Sequence, residues 1–327
     1  MQVNFIDLFA GVGGFHLALS QANNGGGGGQ NATKCVFASE IDSNAQITYT
    51  QNFPHTPLYG DITQDSTQAF IPKDFDILCA GFPCQAFSIA GYQRGFEDTR
   101  GTLFFEIAKI TKIHKPKVLF LENVKNLKNH DNGKTFQVIK TTLESLNYIV
   151  YDSILNTATH ANIPQNRERI FIVAFHKKKV KNHADFSFPS PIKLTKTIHN
   201  CIDSNKQDDS FYYTPKSKYY AWLEKEVIKQ DSIYQLRRIY IRENKSKLCP
   251  TLTANMGTGG HNVPIIKDNY GIRKLTPREC FNFQGYPKSF KLPNLANSKL
   301  YMQAGNSITL PLVKRIAQEI LKVLNNG

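Results

Sequence analysis

Four residues between positions 84 and 169 of the 327-residue chain carry the side chains of a covalent mechanism. Cys84 lies in FDILCAGFPCQAFSIAG, on a Gly-Phe-Pro-Cys-Gln loop that follows the apolar run Phe75–Ala80. A thiol held where a strand ends becomes a nucleophile when it is deprotonated, whereas a lone cysteine is more often a small buried apolar residue. Glu122 closes a second apolar run in LFLENVKN, where a partly buried carboxyl can donate a proton. Arg167 and Arg169, in NIPQNRERIFIVAF, stand two residues apart at the start of a third run, and strand alternation puts both on one face. Thiol, acid and paired guanidinium groups together can add sulfur to an acceptor and stabilise the charge that develops.

Such groups need a scaffold that brings several strand ends to one edge. Val3–Phe9, Cys35–Ser39, Phe75–Ala80, Lys117–Leu121 and Arg169–Phe175 are apolar runs bounded by turn residues and predict buried strands. Between them, Phe15–Gln21, Asp42–Phe53, Leu103–His114 and Gly133–Leu146 have apolar residues at helical spacing. This alternation predicts an α/β domain with a mainly parallel sheet, whose ligands bind outside the carboxyl ends of the strands. The opening FIDLFAGVGGFHLAL reads as strand, glycine turn and helix, with Gly11, Gly13 and Gly14 allowing close approach of a ligand to the backbone. Its spacing is not that of a dinucleotide fingerprint, and alone it is equally a plain strand-to-helix turn. Glu40, at the end of FASE, is placed to hold ribose hydroxyls, and Asp61, in YGDIT, to accept from an adenine amino group. Each acid alone is equally a surface residue or helix cap; in this order they point to an adenosyl ligand.

Composition narrows the class. A hydrophobic share of 41% and an aromatic share of 11% fit a globular chain and argue against disorder. No apolar run is long enough to span a membrane, and MQVNFIDLFAG lacks the features of a signal peptide, so a cytoplasmic address is expected. The six cysteines form no C-x-x-C pair and no zinc-finger spacing, and no metal is expected. The net charge is +14, and between Phe175 and Pro250 there are 16 basic and eight acidic residues. Such an excess suits a polyanion, although it also serves as a solubilising surface. After about Lys177 the strand–helix alternation gives way to tyrosines, basic residues and the tract TLTANMGTGGHN, which marks a second, smaller domain. Helical spacing returns over Ser307–Leu324, and that segment is expected to pack back on the first domain.

GFPCQ, ENV, QNRER, the opening FxGxGG element and QAGNS (Gln303–Ser307) occur in one order along nearly the whole chain. Together they resemble the ordered motifs of the bacterial DNA (cytosine-5) methyltransferases of restriction–modification systems. The resemblance implies a Rossmann-like S-adenosylmethionine-dependent methyltransferase fold with a smaller, mixed target-recognition domain. Residues 1–184, completed by a C-terminal helix at 303–327, would form the catalytic and cofactor-binding domain, and 185–302 the target-recognition domain. It implies methyl transfer from S-adenosyl-L-methionine, with S-adenosyl-L-homocysteine as product, to carbon 5 of a cytosine flipped out of a specific short duplex sequence. Cys84 would add covalently to carbon 6, Glu122 would hold ring nitrogen 3 and the amino group, and Arg167 and Arg169 would lie near the ring carbonyl and the active-site loop. Phe9, Glu40, Asp61, Leu103 and Asn306 would bind the cofactor together with Gly11, Gly13, Ile62 and Pro83, Pro83 also shaping the Cys84 loop.

For double-stranded DNA, the resemblance gives Ser88 a phosphate contact and matches Thr251 and Thr253 to a Thr-Leu-x motif of the recognition region. LRRIYIRENKSK offers Arg237, Arg238 and Arg242 for groove and phosphate contact, while much of TLTANMGTGGHN is equally a turn-rich hairpin. Ala90–Phe105 resembles a loop that closes over DNA; the alternative is an ordinary exposed loop. RKLTPRECFNFQGYP resembles the motif that supports the recognition domain and is expected to be scaffold. A cognate restriction endonuclease, a monomeric state and association with the nucleoid are the accompanying expectations. Two features depart from the family pattern. Ala90 is too small to fill a vacated base stack, for which Gln235 is only a weak candidate, and Gly25–Gly29 is an insertion that reads as a flexible loop tip. Among rivals, a tRNA cytosine-5 methyltransferase would carry a Cys-Phe-Thr tripeptide that is absent here. An amino-methylating DNA enzyme needs an Asp/Asn-Pro-Pro-aromatic motif, a nicotinamide oxidoreductase leaves Cys84, Glu122 and the arginines unexplained, and a non-catalytic DNA-binding module leaves every one of these groups idle.

Overall fold

The apolar runs become strands that are buried on both faces, as a sheet covered by helices requires. They are β1 (Val3–Leu8), β2 (Thr33–Ser39), β4 (Ile77–Gly81), β5 (Val118–Val124) and β8 (Glu168–His176); β3 (Leu58–Tyr59) and β6 (Tyr148–Asn156) are the sheet's edges, and the short β7 (Gln165–Asn166) stands outside this sheet. The seven strands lie in the order β3-β2-β1-β4-β5-β8-β6. Strands β1 to β5 pair in parallel, and β8 joins β5 antiparallel with Val124 opposite Arg169. This is the expected α/β architecture with a large parallel sheet. Described in a computed structural model are residues 2–22, 32–83, 103–258 and 262–326. The sequence readings on Cys84, Ser88, Ala90, the Gly25–Gly29 run and most of the Ala90–Phe105 tract fall outside them.

The chain divides into two compact units, 1–155 with 168–190 and 313–327, and 156–167 with 191–312. Residues 156–167 and 303–312 thus group with the second unit, whereas the sequence reading set them with the first. In the first unit the connecting helices are α1 (Gly14–Ala22), α2 (Ser43–Asn52), α3 (Asp65–Gln68), α4 (Leu103–His114) and α5 (Lys134–Ser145). Asp42 caps α2 by accepting from the Asn44 and Ala45 amides, satisfying donors that a helix start leaves open. The core joins Leu8, Phe37, Leu78, Leu119 and Ile172 of the strands to Phe104, Ile107 and Ile139 of the helices. Strand β6 was not legible as an apolar run, because YIVYDSILN at the sheet edge is only half-buried over most of its length.

The second unit holds α6 (Thr157–Ala161), α7 (Tyr220–Glu226), α8 (Pro277–Phe283) and α9 (Asn297–Asn306). Its sheet has four strands, β9 (Tyr234–Leu236), β10 (Ile241–Glu243), β12 (Ile265–Asp268) and β13 (Gly271–Lys274), in the order β10-β9-β12-β13; β11 (Cys249–Pro250) pairs instead with β7. Leu223, Val227, Tyr234, Leu236, Ile265 and Ile272 make a small core. RKLTPRE is structural: buried Arg273 donates to both carboxyl oxygens of Glu279 at 2.8 Å and to Asp268 at 2.6 Å. Glu279 also closes a capping box with Thr276 at the start of α8. Buried charges survive when paired and hydrogen-bonded in this way. The last helix, α10 (Leu310–Asn325), places Val313, Ile316 and Ile320 in the interior.

Candidate active site

Strand β4 ends at Gly81, whose register partner on β5 is Glu122. Phe82 and Pro83 follow as the last described residues before Cys84, and the Asn123 side chain donates to the Phe82 carbonyl at 2.8 Å. The buried Asn123 thus fixes the backbone that leads into the Cys84 loop. The sequence reading did not single it out, although it sits in the ENV tripeptide beside Glu122. A polar residue continuing a buried strand was the available signal, since such a side chain has to find a partner.

Glu122 is buried and forms an ion pair with Arg169, whose Nε lies 3.1 Å from its Oε1. Arg169 also donates to the Glu168 carbonyl at 2.9 Å, which leaves its fork partly committed to the backbone. The structure therefore brings Glu122 and Arg169 together at the carboxyl end of β5. Arg167 differs. Strand β7 stops at Asn166 and β8 starts at Glu168, so Arg167 stands between two strands and Arg169 within the second. The Arg167 guanidinium is buried in the second unit, where it donates to the carbonyls of Leu252, Gly305 and Ser307.

The carboxyl edge of β1 and β2 carries the groups expected at a cofactor. Phe9 follows β1 with φ of +55°, a conformation that costs a bulky residue on the order of 1–3 kcal/mol and clusters at functional sites. Glu40 Oε2 accepts from the Gly11 amide at 2.7 Å and Oε1 from the Asp42 amide at 2.8 Å. Those bonds orient the carboxylate and leave lone pairs on both oxygens for ribose hydroxyls. Gly13 has φ of +85°, and a Cβ there would lie 2.3 Å from the Phe53 ring, so the turn packs against α2 only with glycine. At Gly11 a Cβ would meet nothing within 4 Å, so open space fronts the turn. Asp61 accepts from the Thr63 amide at 2.9 Å, and this bond holds its carboxyl below the usual range; Ile62 beside it is buried. Leu103 begins α4. The Phe9 ring, the carboxylates of Glu40 and Asp61 and an open glycine turn fit an adenosyl group.

Behind the turn lies a cluster of titratable groups. Asp7 is fully buried and accepts from the His16 amide at 3.3 Å, while its other oxygen has no partner among the described residues. Burial pushes the Asp7 carboxyl well above the usual carboxylate range and pulls His16 down to about 4. His16 Nδ1 and the Tyr49 hydroxyl share a 2.9 Å hydrogen bond, and the imidazole stacks on Phe53 at 3.9 Å. Neutral Asp7 and neutral His16 are what such a dry setting favours.

Among the groups expected to meet DNA, Arg238 and Arg242 are exposed on the β9–β10 hairpin, and Arg237 is half-buried with a bond to Gln235 at 3.1 Å. Thr251 donates to the Asn166 carbonyl at 2.7 Å, and Thr253 is half-buried. Asn306 is exposed at the end of α9 in the second unit. No cluster of His, Cys, Asp or Glu among the described residues could hold a metal ion, and no helix there is long and apolar enough to cross a membrane.

A glycine turn oriented on Glu40 and an acid–arginine pair at strand carboxyl ends suit an α/β transferase that uses a nucleoside cofactor. Solved structures share the fold over nearly the whole chain. They include a DNMT2 mutant of Spodoptera frugiperda (TM-score 0.71, 19% identity, 99% of this chain and 100% of that one) and a putative DNA modification methyltransferase encoded within an E. coli prophage (TM-score 0.67, 20% identity, 99% and 100%). Residues 3–322 match the family model of C-5 cytosine-specific DNA methylases, and the chain belongs to that family. It is similar to the type II methyltransferases M.Bsp6I of Bacillus sp. (strain RFL6), at 52% identity over 96% of this chain and 97% of that protein, and M.HhaI of Haemophilus parahaemolyticus, at 40% over 99% and 95%. The activity is therefore that of a DNA cytosine-5 methyltransferase using S-adenosylmethionine, and the tRNA-directed alternative is not favoured by relatives of this kind.

Proposed function

We propose that this methyltransferase acts on a cytosine rotated out of a specific short duplex sequence, with Cys84 as the covalent nucleophile. The observation that carries the reading is the Glu122–Arg169 pair, set beside the β4 exit that leads through Phe82 and Pro83 to Cys84. A base inside the stack is out of reach of any protein nucleophile, so it must leave the duplex. Bound S-adenosylmethionine supplies the electrophilic methyl group that carbon 5 accepts. Cytosine carbon 5 is too poor a nucleophile until a thiolate adds to carbon 6 and makes it enamine-like. Cys84 provides that thiolate, and Glu122 delivers a proton to ring nitrogen 3 as sulfur adds. Arg169 orients the Glu122 carboxyl and stabilises negative charge that develops on the ring. A base then removes the carbon-5 proton, elimination returns the Cys84 thiolate, and the proton on ring nitrogen 3 goes back to Glu122.

The cofactor is held by Glu40 at the ribose hydroxyls, Asp61 at the adenine amino group and Phe9, Gly11, Gly13, Ile62, Pro83 and Leu103 around them, with Asn306 assigned by the family motif. Ser88, Arg237, Arg238, Arg242, Thr251 and Thr253 are the DNA contacts, and the biological setting is restriction–modification with a cognate endonuclease. Bisulfite sequencing of DNA from an otherwise unmethylated host that expresses the protein should give one short methylated sequence. Duplex DNA carrying 5-fluorocytosine in that sequence should then form a stable adduct with the wild type, since fluorine cannot leave as a proton does. Cys84→Ser should bind DNA and cofactor but give no adduct. Adduct formation by Cys84→Ser, or none by an active wild type, rules out this nucleophile.

A further inference from the structure

Arg167 is 2% exposed and spends its guanidinium on backbone carbonyls in two separate segments. Nη1 donates to Leu252 at 3.0 Å, and Nη2 donates to Ser307 at 2.6 Å and Gly305 at 3.3 Å. Leu252 lies between Thr251 and Thr253, and Gly305 and Ser307 flank Asn306. The two segments also touch directly. A Cβ on Gly305 would lie 2.2 Å from the Thr253 carbonyl carbon and 2.5 Å from the Ala254 amide nitrogen, so only glycine permits this approach.

Neighbouring bonds tighten both sides. Thr251 Oγ1 donates to the carbonyl of Asn166, the residue before Arg167, and β11 pairs with β7 through Cys249–Gln165 and Pro250–Asn166. On the other side, Gln284 donates to the Ala304 carbonyl at 2.8 Å, and the hydroxyls of Tyr286 and Ser307 are 2.5 Å apart. A planar fork with fixed donor directions sets the separation of its acceptors, which a lysine point charge cannot do.

We infer that Arg167 is a positioning residue that locks Thr251–Thr253 and Gly305–Ser307 into one frame, so that a ligand at either segment changes affinity at the other. The inference rests on the proposed reading in which Thr251 and Thr253 meet DNA and Asn306 meets the cofactor. Coupling of this kind is reciprocal: duplex DNA tightens S-adenosylhomocysteine by the same factor by which S-adenosylhomocysteine tightens DNA.

The test is calorimetric titration of the full-length protein with S-adenosylhomocysteine, with and without a duplex containing the methylated sequence. The wild type should bind S-adenosylhomocysteine at least about fivefold tighter with the duplex, within the usual range of coupling between sites. Arg167→Lys should bring that ratio close to one. A wild-type ratio of one, or an Arg167→Lys ratio equal to the wild-type value, overturns the inference. A lower melting temperature with the ratio intact marks Arg167 as structural filler and counts against the proposal in the same way. Asn306→Ala separates the inference from its foundation: if it leaves S-adenosylhomocysteine affinity unchanged, the assignment of Asn306 has failed rather than the coupling. Should Arg167→Lys not fold, hydrogen exchange on the wild type decides. S-adenosylhomocysteine alone should slow exchange in 249–256 and duplex alone should slow it in 303–308; protection confined to each ligand's own segment refutes the shared frame.

Discussion

Replacing Glu122 by glutamine keeps the shape of the side chain but removes the charge of its carboxylate form and its capacity to take up and deliver a proton. Arg169 Nε lies 3.1 Å from Glu122 Oε1, and the side chains are 16% and 11% exposed. At that separation the gross attraction is about 5 kcal/mol with an effective dielectric near 20, and desolvation of both groups offsets much of it. Loss of one partner from a fully buried pair costs about 3–5 kcal/mol, and the residual solvent access here lowers the expected cost to roughly 1–3 kcal/mol. Folding should therefore survive, with a shifted urea midpoint. Catalysis should suffer more. General acid assistance contributes about 10²–10⁴ in rate, or roughly 3–5 kcal/mol in the barrier. Single-turnover transfer of labelled methyl from S-adenosylmethionine to the target duplex measures it, with enzyme in excess so that product release does not intrude. Arg169→Met should fall less in rate, and the double variant should lose less than the sum, because the two groups act as a unit. A Glu122→Gln enzyme within about tenfold of the wild-type rate, at a temperature where it is folded, would refute the assignment of Glu122 as the proton donor.

Two further outcomes follow from the first unit. Glu40→Gln should weaken S-adenosylhomocysteine by about 10- to 100-fold in calorimetry, since charge-assisted bonds are worth roughly 1.5–3 kcal/mol and an amide NH₂ would face the Gly11 or Asp42 N–H; an unchanged Kd removes Glu40 from the cofactor site. Stability should also fall in mild acid. His16, held down to about 4 by burial against an ordinary 6.5, binds its proton more readily when unfolded. Its contribution is complete above pH 6.5 and is lost as the pH drops toward 4, to the extent of about 3 kcal/mol. Asp7, raised by burial, works in the opposite sense: its share is present at low pH and is lost as the pH rises through its folded value. Urea midpoints compared between pH 7.5 and 4.5 should decline for the wild type and decline less for His16→Phe. Equal slopes in the two proteins exclude His16 as the origin.

What the sequence determined by itself was local. The runs that became β1, β2, β4, β5 and β8 were readable because a strand covered on both faces has to be apolar throughout, and α1, α2, α4 and α5 because one helix face has to be. The glycine turn with Glu40 and Asp61 was readable because acids at successive strand ends leave a recognisable order. Strand β6 escaped because a half-buried edge need not be apolar.

Tertiary structure decided what depends on where a backbone stops or turns. Two arginines at an interval of two looked equivalent, yet the folded chain gives them different partners: Arg169 meets a carboxylate, and Arg167 meets three carbonyls far away in sequence. Asn123 acquired its purpose only when pairing of β4 with β5 brought the Phe82 carbonyl to it. Hydrogen bonds of this kind join residues through a register that no local pattern encodes, because a side chain's type fixes what it can bond to and only the folded chain fixes which partner arrives.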